Sequence, residues 1–302
     1  MSSPNCHVNN EWSLLKKVIV GSAASWGPDP TAEQAVDPKS REHILAGTYP
    51  LEKDVQLELE GLVHLLKSRG VEVIRPNIIE DLNQVFARDV GIVINDKLIR
   101  TSMIPARTPE WEGIAHYVSS DHLTTPTTGV RIEGGDVMPM SNEIWVGYGE
   151  GDDFEEYRTS RTNEQALGWL SVEFPDQHIR SFALSKSDTE PKFNALHLDC
   201  CLSVLGGGHA IFHPEGLKHE KDRQWIRKHF EGKIIEVNAD GMYEMHCNLL
   251  SISPTTVISG RGFDAVNTQL RKWGYEVLET PMGETSKMGG LLRCVTLPIY
   301  RK

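Results

Sequence analysis

The sequence predicts an α/β fold made of small, similar modules arranged around a shared centre. One observation is a repeat in which a helix end, a glycine and a strand follow one another, in residues 65–74 (LLKSRGVEVI) and again in residues 270–278 (LRKWGYEVL). The other is a set of apolar runs paired across short polar turns, which begin roughly 45 to 65 residues apart, at Gly91, Asp136, Cys201 and Asn248. Each such unit is too small to bury its own apolar face, so we expect the modules to close into a ring whose strand ends point to one centre.

The elements of the N-terminal third follow from the same patterns. An apolar run in residues 14–21 predicts a buried first strand. The Pro-, Gly- and Ser-rich residues 22–48 predict a long loop, which is either a lid over a substrate site or a surface insertion. Pro50 suits the first turn of a helix that ends at Gly70, and residues 71–76 predict the next strand. One face of that helix carries the apolar residues Val55, Leu59, Leu62, Val63 and Leu66.

The composition is that of a globular protein, and we expect residues 1–302 to form a single domain. Of the 302 residues, 39% are hydrophobic and 24% are charged. The formal net charge of −11 disfavours nucleic acid and anionic membranes as partners, because it repels phosphate. The five cysteines include no C-x-x-C pair, the chain does not open with a basic and apolar leader, and no apolar segment approaches 18 residues. These features predict a cytoplasmic protein.

Cys294 is the candidate nucleophile. It follows the glycine pair Gly289 and Gly290, which allows another group to approach the backbone closely and directs the thiol away from the strand that starts there. The alternative is a small buried hydrophobe among leucines and valines. The adjacent Cys200 and Cys201 are expected to fill core and strand positions.

Polar clusters directly precede four of the predicted strands, in residues 86–89 (FARD), 133–136 (EGGD), 197–199 (HLD) and 289–294 (GGLLRC). Because residues i and i+2 of an extended segment share a face, His197 and Asp199 are expected to serve one ligand. Taken separately, residues 88–89 could be a surface ion pair, residues 133–136 a glycine turn and His197 a core histidine. One cluster in each module is what a central site requires, so we interpret the four together as a site.

In this order, the patterns F-x-R-D, E-G-G-D, H-x-D and G-G-x-x-x-C resemble the motifs of the guanidine-modifying superfamily. That superfamily contains arginine deiminases, dimethylarginine dimethylaminohydrolases and amidinotransferases. The opening residues 10–15 (NEWSLL) and 15–21 (LKKVIVG) also resemble its members. The resemblance implies the pentein fold, an α/β-propeller of five pseudo-symmetric ββαβ modules around a central active site.

The resemblance also implies a role for each motif residue. It assigns Cys294 as the nucleophile, His197 as the general acid/base, and Glu133 as the partner that orients His197. Asp89 and Asp199 become the carboxylates that hold the planar guanidinium cation of a small-molecule substrate through charge-assisted contacts. Because carboxylates disfavour a nearby thiolate, we expect Cys294 to stay mostly protonated until a cationic substrate binds.

Two arginines complete the predicted substrate site. The segment Ser160-Arg161-Thr162 resembles the part of the family that holds a substrate α-carboxylate, which assigns this role to Arg161; the alternative is a solvated helix start. Arg88, next to Asp89 in the first motif, is also assigned to substrate binding.

No metal site and no cofactor is expected. The histidines and cysteines outside the motifs do not form the closely spaced quartet that zinc requires; they are His209, His213, His246 and Cys247. The resembled family uses no metal.

The resemblance favours a hydrolase that forms citrulline from arginine or an arginine derivative through a covalent Cys294 thiouronium. E-G-G-D resembles the hydrolases at that place. The alternative is an amidinotransferase, which the N-terminal segment and residues 86–90 resemble, and which would pass the amidino group to an acceptor amine such as glycine or lysine. A second alternative is a non-catalytic pentein that binds a ligand, although a binding module has no need of a nucleophile and a base. A homo-oligomer is left open.

Overall fold

A computed structural model describes residues 6–302. The expectation that the chain does not open with a leader falls partly on residues 1–5, which lie outside the described residues. The strands are β1 (Leu15–Val20), β2 (Glu72–Ile74), β3 (Gly91–Ile94), β4 (Lys97–Arg100), β5 (Leu123–Thr124), β6 (Val137–Met140), β7 (Glu143–Tyr148), β8 (His178–Ala183), β9 (Leu202–Leu205), β10 (His209–Phe212), β11 (Ile234–Glu236), β12 (Leu250–Ser253), β13 (Thr256–Gly260), β14 (Glu276–Thr280) and β15 (Thr296–Arg301). The α-helices are α1 (Pro38–Leu45), α2 (Glu52–Ser68), α3 (Ala87–Val90), α4 (Asp153–Glu156), α5 (Glu164–Glu173), α6 (Leu198–Cys201), α7 (Glu220–His229), α8 (Ala239–Tyr243), α9 (Asp264–Lys272) and α10 (Gly283–Ser286). The 3₁₀-helices are Pro105–Gly113, Ala115–Tyr117, Ser120–His122, Gly134–Asp136, Pro191–Phe193, Gly206–Gly208 and Pro214–Gly216.

Within residues 6–302 the strands form five three-stranded sheets of one design, which confirms the predicted pentein α/β-propeller. Their orders are β15-β1-β2, β3-β4-β5, β6-β7-β8, β9-β10-β11 and β12-β13-β14. In every sheet the first two strands are antiparallel and the third is parallel to the middle one. A parallel third strand needs a crossover, and helices supply it in each module. Strand β15 pairs with β1, so the last module is completed by both ends of the described chain.

The four predicted hairpins are confirmed, and so is the apolar face of α2. The hairpins are β3–β4, β6–β7, β9–β10 and β12–β13. On α2, every predicted core residue is buried, whereas the helix exposes Leu57 on its other side. Apolar residues spaced three and four apart produce this single buried stripe. Gly70 follows the helix with a φ of 74°, a conformation that glycine adopts without strain.

The predicted loop in residues 22–48 contains a helix, so this part of the prediction was wrong. Helix α1 begins after Asp37, whose Oδ1 accepts a hydrogen bond from the Ser40 amide at 2.9 Å, with Pro38 at the first helical position. These start signals are present in the sequence, but apolar residues do not recur along the helix with a clear helical period. The segment packs against the predicted site, because the Val36 carbonyl accepts a hydrogen bond from Arg161 Nη2 at 2.7 Å. Its role as a lid stays a prediction.

In three modules, short helical turns place the predicted site residues directly before the first strand. Asp89 lies in α3, Glu133 precedes the 3₁₀-helix Gly134–Asp136, and Asp199 lies in α6. The expectation that His197 and Asp199 share one face of an extended segment was therefore wrong. The Leu198 amide donates to Asp136 Oδ1 at 3.0 Å, so a carboxylate from the neighbouring module caps the start of α6 and favours the helical turn.

No helix in the part of the chain from residue 6 onward is both long and apolar enough to span a membrane.

Candidate active site

His197 lies in a buried network of charges, which we call the acid–base cluster (Asp89, Glu133 and His197, with Arg107 and Arg161). Its Nε2 lies 2.9 Å from Glu133 Oε2, and its Nδ1 lies 3.7 Å from Asp89 Oδ1. Burial disfavours the imidazolium, but the Asp89, Asp136 and Glu133 carboxylates outweigh it and raise the pKa of His197 to about 9. The ring therefore carries a proton near neutral pH, as an acid that protonates a leaving amine must.

Glu133 fixes the orientation of that ring and is itself held from behind. Arg161 Nη1 donates to Glu133 Oε2 at 3.2 Å. Burial opposes ionisation of Glu133, whereas Arg161 and His197 favour it and lower its pKa to about 2. Gly135 lets the imidazole approach the backbone, because a Cβ there would lie 2.5 Å from His197 Nδ1. The ring is thus clamped between a carboxylate and a glycine backbone.

Asp89 has one oxygen engaged and one free. Arg107 Nη1 donates to Asp89 Oδ2 at 2.7 Å, and Glu110 holds Arg107 through two further contacts of 2.7 and 3.0 Å. The buried Asp89 Oδ1 accepts no hydrogen bond from any residue in the described range 6–302. An unpaired buried carboxylate oxygen is costly, so this atom marks a place where a cationic ligand would be stabilised.

Cys294 heads the second group of residues, the nucleophile cluster (Cys294, Asp199, Arg293 and Asn248). It lies in a turn just before β15, with Sγ at 3.7 and 3.8 Å from the two carboxylate oxygens of Asp199. Contact with the Cys200 thiol, then burial, then Asp199 raise the pKa of Cys294 well above the ordinary value for a thiol. The direction is the one expected from the sequence. The largest contribution, from Cys200, was not expected.

Arg293 fixes Asp199 beside the thiol. Its Nη1 donates to Asp199 Oδ2 at 2.8 Å, while Nε and Nη2 donate to the two oxygens of Glu11 at 3.1 and 3.0 Å. Burial raises the pKa of Glu11, but Arg293 and Arg88 outweigh it and lower that pKa to about 2. Asp199, like Asp89, therefore has one oxygen bound to a protein arginine, while its Oδ1 contacts the thiols of Cys200 and Cys294 at 3.7 and 3.8 Å.

The structure brings six of the seven predicted site residues, all but Arg88, into these two clusters, from modules far apart in sequence. One oxygen or nitrogen each of Asp89, Glu133 and His197 lies within 4.8 Å of the others. The backbone joins the clusters, since the Arg88 amide donates to the Cys294 carbonyl at 3.0 Å. The predicted roles themselves stay predictions.

The two predicted substrate arginines are engaged with the protein. Arg161 is buried and uses all three guanidinium nitrogens, on Glu133, on the Arg158 carbonyl and on the Val36 carbonyl. Arg88 is also buried; its Nε donates to the Arg293 carbonyl at 3.3 Å and its Nη1 lies 4.0 Å from Glu11. Neither is a solvated helix start or a surface ion pair. Their predicted contacts with substrate are untested.

Five residues that the structure places in or against the two clusters had no predicted role: Asn248, Arg293, Glu11, Arg107 and Cys200. Asn248 had a signal in the sequence, because it stands at the start of the hairpin in residues 248–260, where the other modules carry their polar cluster. Cys200 lies in the hydrophobic core, as expected, and its thiol also contacts Asp199 and Cys294, which was not expected. Glu11 lies in the opening segment that resembles the superfamily but had no assigned role, and Arg107 lies in no motif. The importance of both comes from tertiary pairing.

Asp89, Glu133 and His197 are also close enough together to bind a metal ion, and they are the group of His, Cys, Asp or Glu side chains within residues 6–302 for which this holds. Arg107 and Arg161 already pair with the two carboxylates, which supplies positive charge where a metal would. The expectation of no metal and no cofactor stays a prediction.

Comparison with known proteins places this arrangement in a family. A family model described as "N,N dimethylarginine dimethylhydrolase, eukaryotic" matches residues 50–301. The chain is 32% identical over 243 residues to the Bacillus subtilis "Uncharacterized protein YkgA". The aligned part covers 80% of this chain and 78% of that protein. It is 27% identical over 255 residues to the bifunctional arginine dihydrolase/ornithine cyclodeaminase AgrE of a Nostoc species, which covers 80% of this chain but 32% of that longer protein.

A solved structure shows the same fold. SxtG, an amidinotransferase from Microseira wollei in the saxitoxin biosynthetic pathway, matches with a TM-score of 0.75 at 18% identity, over 99% of this chain and 98% of that one. With the family model matching most of the chain, the chain belongs to the N,N-dimethylarginine dimethylhydrolase family and is a guanidine-modifying enzyme of the pentein fold.

Proposed function

We propose that this enzyme is a hydrolase that converts the guanidinium group of arginine, or of an Nω-methylated arginine, to the ureido group of citrulline. One observation carries the proposal. Arg107 binds Asp89 Oδ2 and Arg293 binds Asp199 Oδ2, so neither Oδ1 has an arginine partner. Asp89 Oδ1 lies beside His197, and Asp199 Oδ1 lies beside Cys294. Two carboxylate oxygens suit the two-sided hydrogen bonding of a planar guanidinium, and the nucleophile and acid are next to them.

The first half of the reaction forms the covalent intermediate. Binding of the cationic substrate offsets the negative charge around Cys294 and favours its thiolate, and the thiol proton passes to solvent. The sulfur adds to the guanidinium carbon, and a C–S bond forms. His197 then gives its proton to the departing amine as the C–N bond breaks, leaving a thiouronium on Cys294.

The second half returns the free enzyme. Neutral His197 takes a proton from water, whose oxygen adds to the thiouronium carbon. The C–S bond breaks, Cys294 leaves as a thiolate, and the product loses its hydroxyl proton to solvent to become the ureido group of citrulline. The thiolate takes up a proton again when the product leaves. Glu133 keeps the imidazole aligned in both halves, because its contact with Nε2 is buried and is fixed by Arg161.

Hydrolysis is favoured over transfer by three features. The E-G-G-D motif resembles the hydrolases, the matching family model is named for a hydrolase, and the relative AgrE carries an arginine dihydrolase in its name. An amidinotransferase remains the second candidate, because SxtG shares the whole fold. Both reactions would pass through the same intermediate.

The test is incubation of the purified enzyme with arginine, Nω-methylarginine and asymmetric dimethylarginine, with and without glycine or lysine. Citrulline, released amines and ornithine are measured together. Citrulline without an acceptor supports the hydrolase, and the released amine identifies the substrate. Ornithine that appears only with an acceptor amine would replace the hydrolase with an amidinotransferase.

A matched pair of cysteine variants locates the chemistry. Cys294→Ala should abolish turnover, whereas Cys6→Ala should not, because Cys6 is buried in another apolar cluster. Loss of turnover in both variants, or in neither, would contradict the assignment of Cys294. A wild-type protein inactive on every guanidine tested would favour the non-catalytic alternative.

A further inference from the structure

We infer that Asn248 is a positioning residue that fixes the nucleophile turn and stabilises the Cys294 thiolate through a donated hydrogen bond. The inference rests on the proposed role of Cys294 as nucleophile. Asn248 Nδ2 lies 3.1 Å from Cys294 Sγ, and the asparagine is fully buried. Burying an amide destabilises the fold unless its polar atoms are hydrogen-bonded, so the partners of Asn248 indicate what the buried side chain does.

The network determines which way the amide faces. Asn248 Oδ1 accepts hydrogen bonds from the Arg293 amide at 2.9 Å and the Cys294 amide at 3.2 Å. Its Nδ2 donates to the Asp199 carbonyl at 3.1 Å as well as to the sulfur. The reversed orientation would place an NH₂ against two backbone donors and an oxygen against a carbonyl. Only the orientation with the N–H toward sulfur satisfies every partner.

This donor opposes the rest of the environment of the thiol. Cys200, burial, Asp199 and Asp89 all raise the pKa of Cys294. A hydrogen bond donated to sulfur favours the charged form, because the thiolate is the better acceptor. Asn248 therefore offsets part of the penalty without adding a positive charge that would repel a cationic substrate. A lysine or arginine at this place would compete for the carboxylates that the substrate needs.

The module pattern supports the same conclusion independently. Asn248 stands just before β12, the first strand of its sheet. The corresponding places in the other modules hold Asp89, Glu133, the His197–Asp199 pair and Cys294. The ring therefore directs a side chain from each of its five modules to the centre, and Asn248 is the contribution of the module that carries no predicted site residue.

The experiment compares Asn248→Asp with Asn267→Asp. Asn267 is another buried asparagine of the same module; its contacts are to Ser259 and the Gly260 carbonyl, away from the thiol. Both variants bury a new carboxyl group, but only the first replaces the N–H on the sulfur. The readout is the rate at which iodoacetamide, a neutral reagent, alkylates Cys294 over a pH range that extends above the wild-type midpoint, measured by peptide mass spectrometry.

For Asn248→Asp the pH midpoint of alkylation should rise by about one to two pKa units, and the rate near pH 8 should fall about 10- to 100-fold. The turnover number should fall by a similar factor with little change in KM. Asn267→Asp should keep the wild-type midpoint. An unchanged midpoint in Asn248→Asp, or an equal shift in both variants, would overturn the inference, since a residue that merely holds the turn changes the rate without moving the midpoint.

If Asn248→Asp does not fold, Asn248→Ala replaces it and should raise the pH midpoint of alkylation by at least about half a pKa unit. An unchanged midpoint in Asn248→Ala would overturn the inference. The alkylation readout needs no substrate. A wild-type protein inactive on guanidines would therefore contradict the proposed function alone, whereas a fixed midpoint in an active enzyme would contradict only the role of Asn248.

Discussion

The acid–base cluster and the nucleophile cluster respond in opposite ways to the same kind of surroundings. Both are buried and both contain carboxylates. Around His197 these carboxylates outweigh burial and raise the pKa to about 9, whereas around Cys294 the Cys200 contact, burial and Asp199 all act in one direction and raise the pKa of the thiol. Negative surroundings favour a cation and disfavour an anion. We therefore expect the free enzyme to hold both protons, and in the proposed mechanism the charge of the substrate generates the nucleophile.

The largest expected effect comes from removing the cation of the acid–base cluster. His197→Gln should lower the turnover number about 100- to 10,000-fold, because it removes the buried imidazolium that the proposed mechanism uses to protonate the leaving amine. His209→Gln is the matched control, since His209 stacks on Trp273 in another part of the ring. Citrulline formation under saturating substrate measures both. A His197→Gln enzyme with more than a tenth of wild-type turnover would remove His197 as the acid.

Glu11→Gln sharpens the comparison from the side of the nucleophile cluster. The change removes the two-pronged partner of Arg293, so a buried guanidinium keeps only Asp199 as a charged partner. The free energy of unfolding should fall by about 3 kcal/mol. Urea denaturation measures it.

The control for this prediction is Glu72→Gln. Glu72 pairs with Lys17 at 3.0 Å, but its side chain is 63% exposed, so its loss should cost less than about 1 kcal/mol. Equal losses in the two variants would mean that the buried pair does not fix the nucleophile turn.

The pH dependence of stability tests the charge on His197. Its pKa is about 9 in the folded protein and near 6.5 in an unfolded chain. The imidazolium therefore stabilises the folded state fully below pH 6.5, and this contribution of roughly 3 kcal/mol is lost as the pH rises through about 9. The difference in unfolding free energy between the wild type and His197→Gln should shrink between pH 6 and pH 10. A difference that stays constant would mean that His197 is neutral when folded.

The smallest expected effect concerns the backbone under the imidazole. Gly135→Ala would place a Cβ 2.5 Å from His197 Nδ1, so the ring must shift and the unfolding free energy should fall by about 1 to 3 kcal/mol. Turnover should fall while the pH midpoint of Cys294 alkylation stays unchanged. Gly168→Ala is the control, because that position in α5 has open space around it. A shift of the Cys294 midpoint in Gly135→Ala would show that the two clusters are coupled more tightly than their separate contacts indicate.

The sequence by itself determined the repeating modules, the hairpins and the identity of the motif residues. Apolar periodicity and turn residues act locally, so hairpins such as β3–β4 and the buried face of α2 could be predicted from spacing alone. The motif residues Cys294, His197, Glu133, Asp89 and Asp199 could be predicted because a central site takes a polar cluster from each module.

Only the tertiary structure decided how each charged side chain is used. Arg161 could be assigned to a substrate carboxylate from its motif, and the structure shows that it pairs with Glu133. Cys200 fills the core as expected, but only the tertiary structure shows its contact with Cys294. The helical turn at α6 depends on a cap from Asp136, which is 62 residues away in sequence. The physical reason is the same in each case: the pairing of a buried charge or cap depends on which distant groups share its low-dielectric surroundings, and no local pattern records those neighbours.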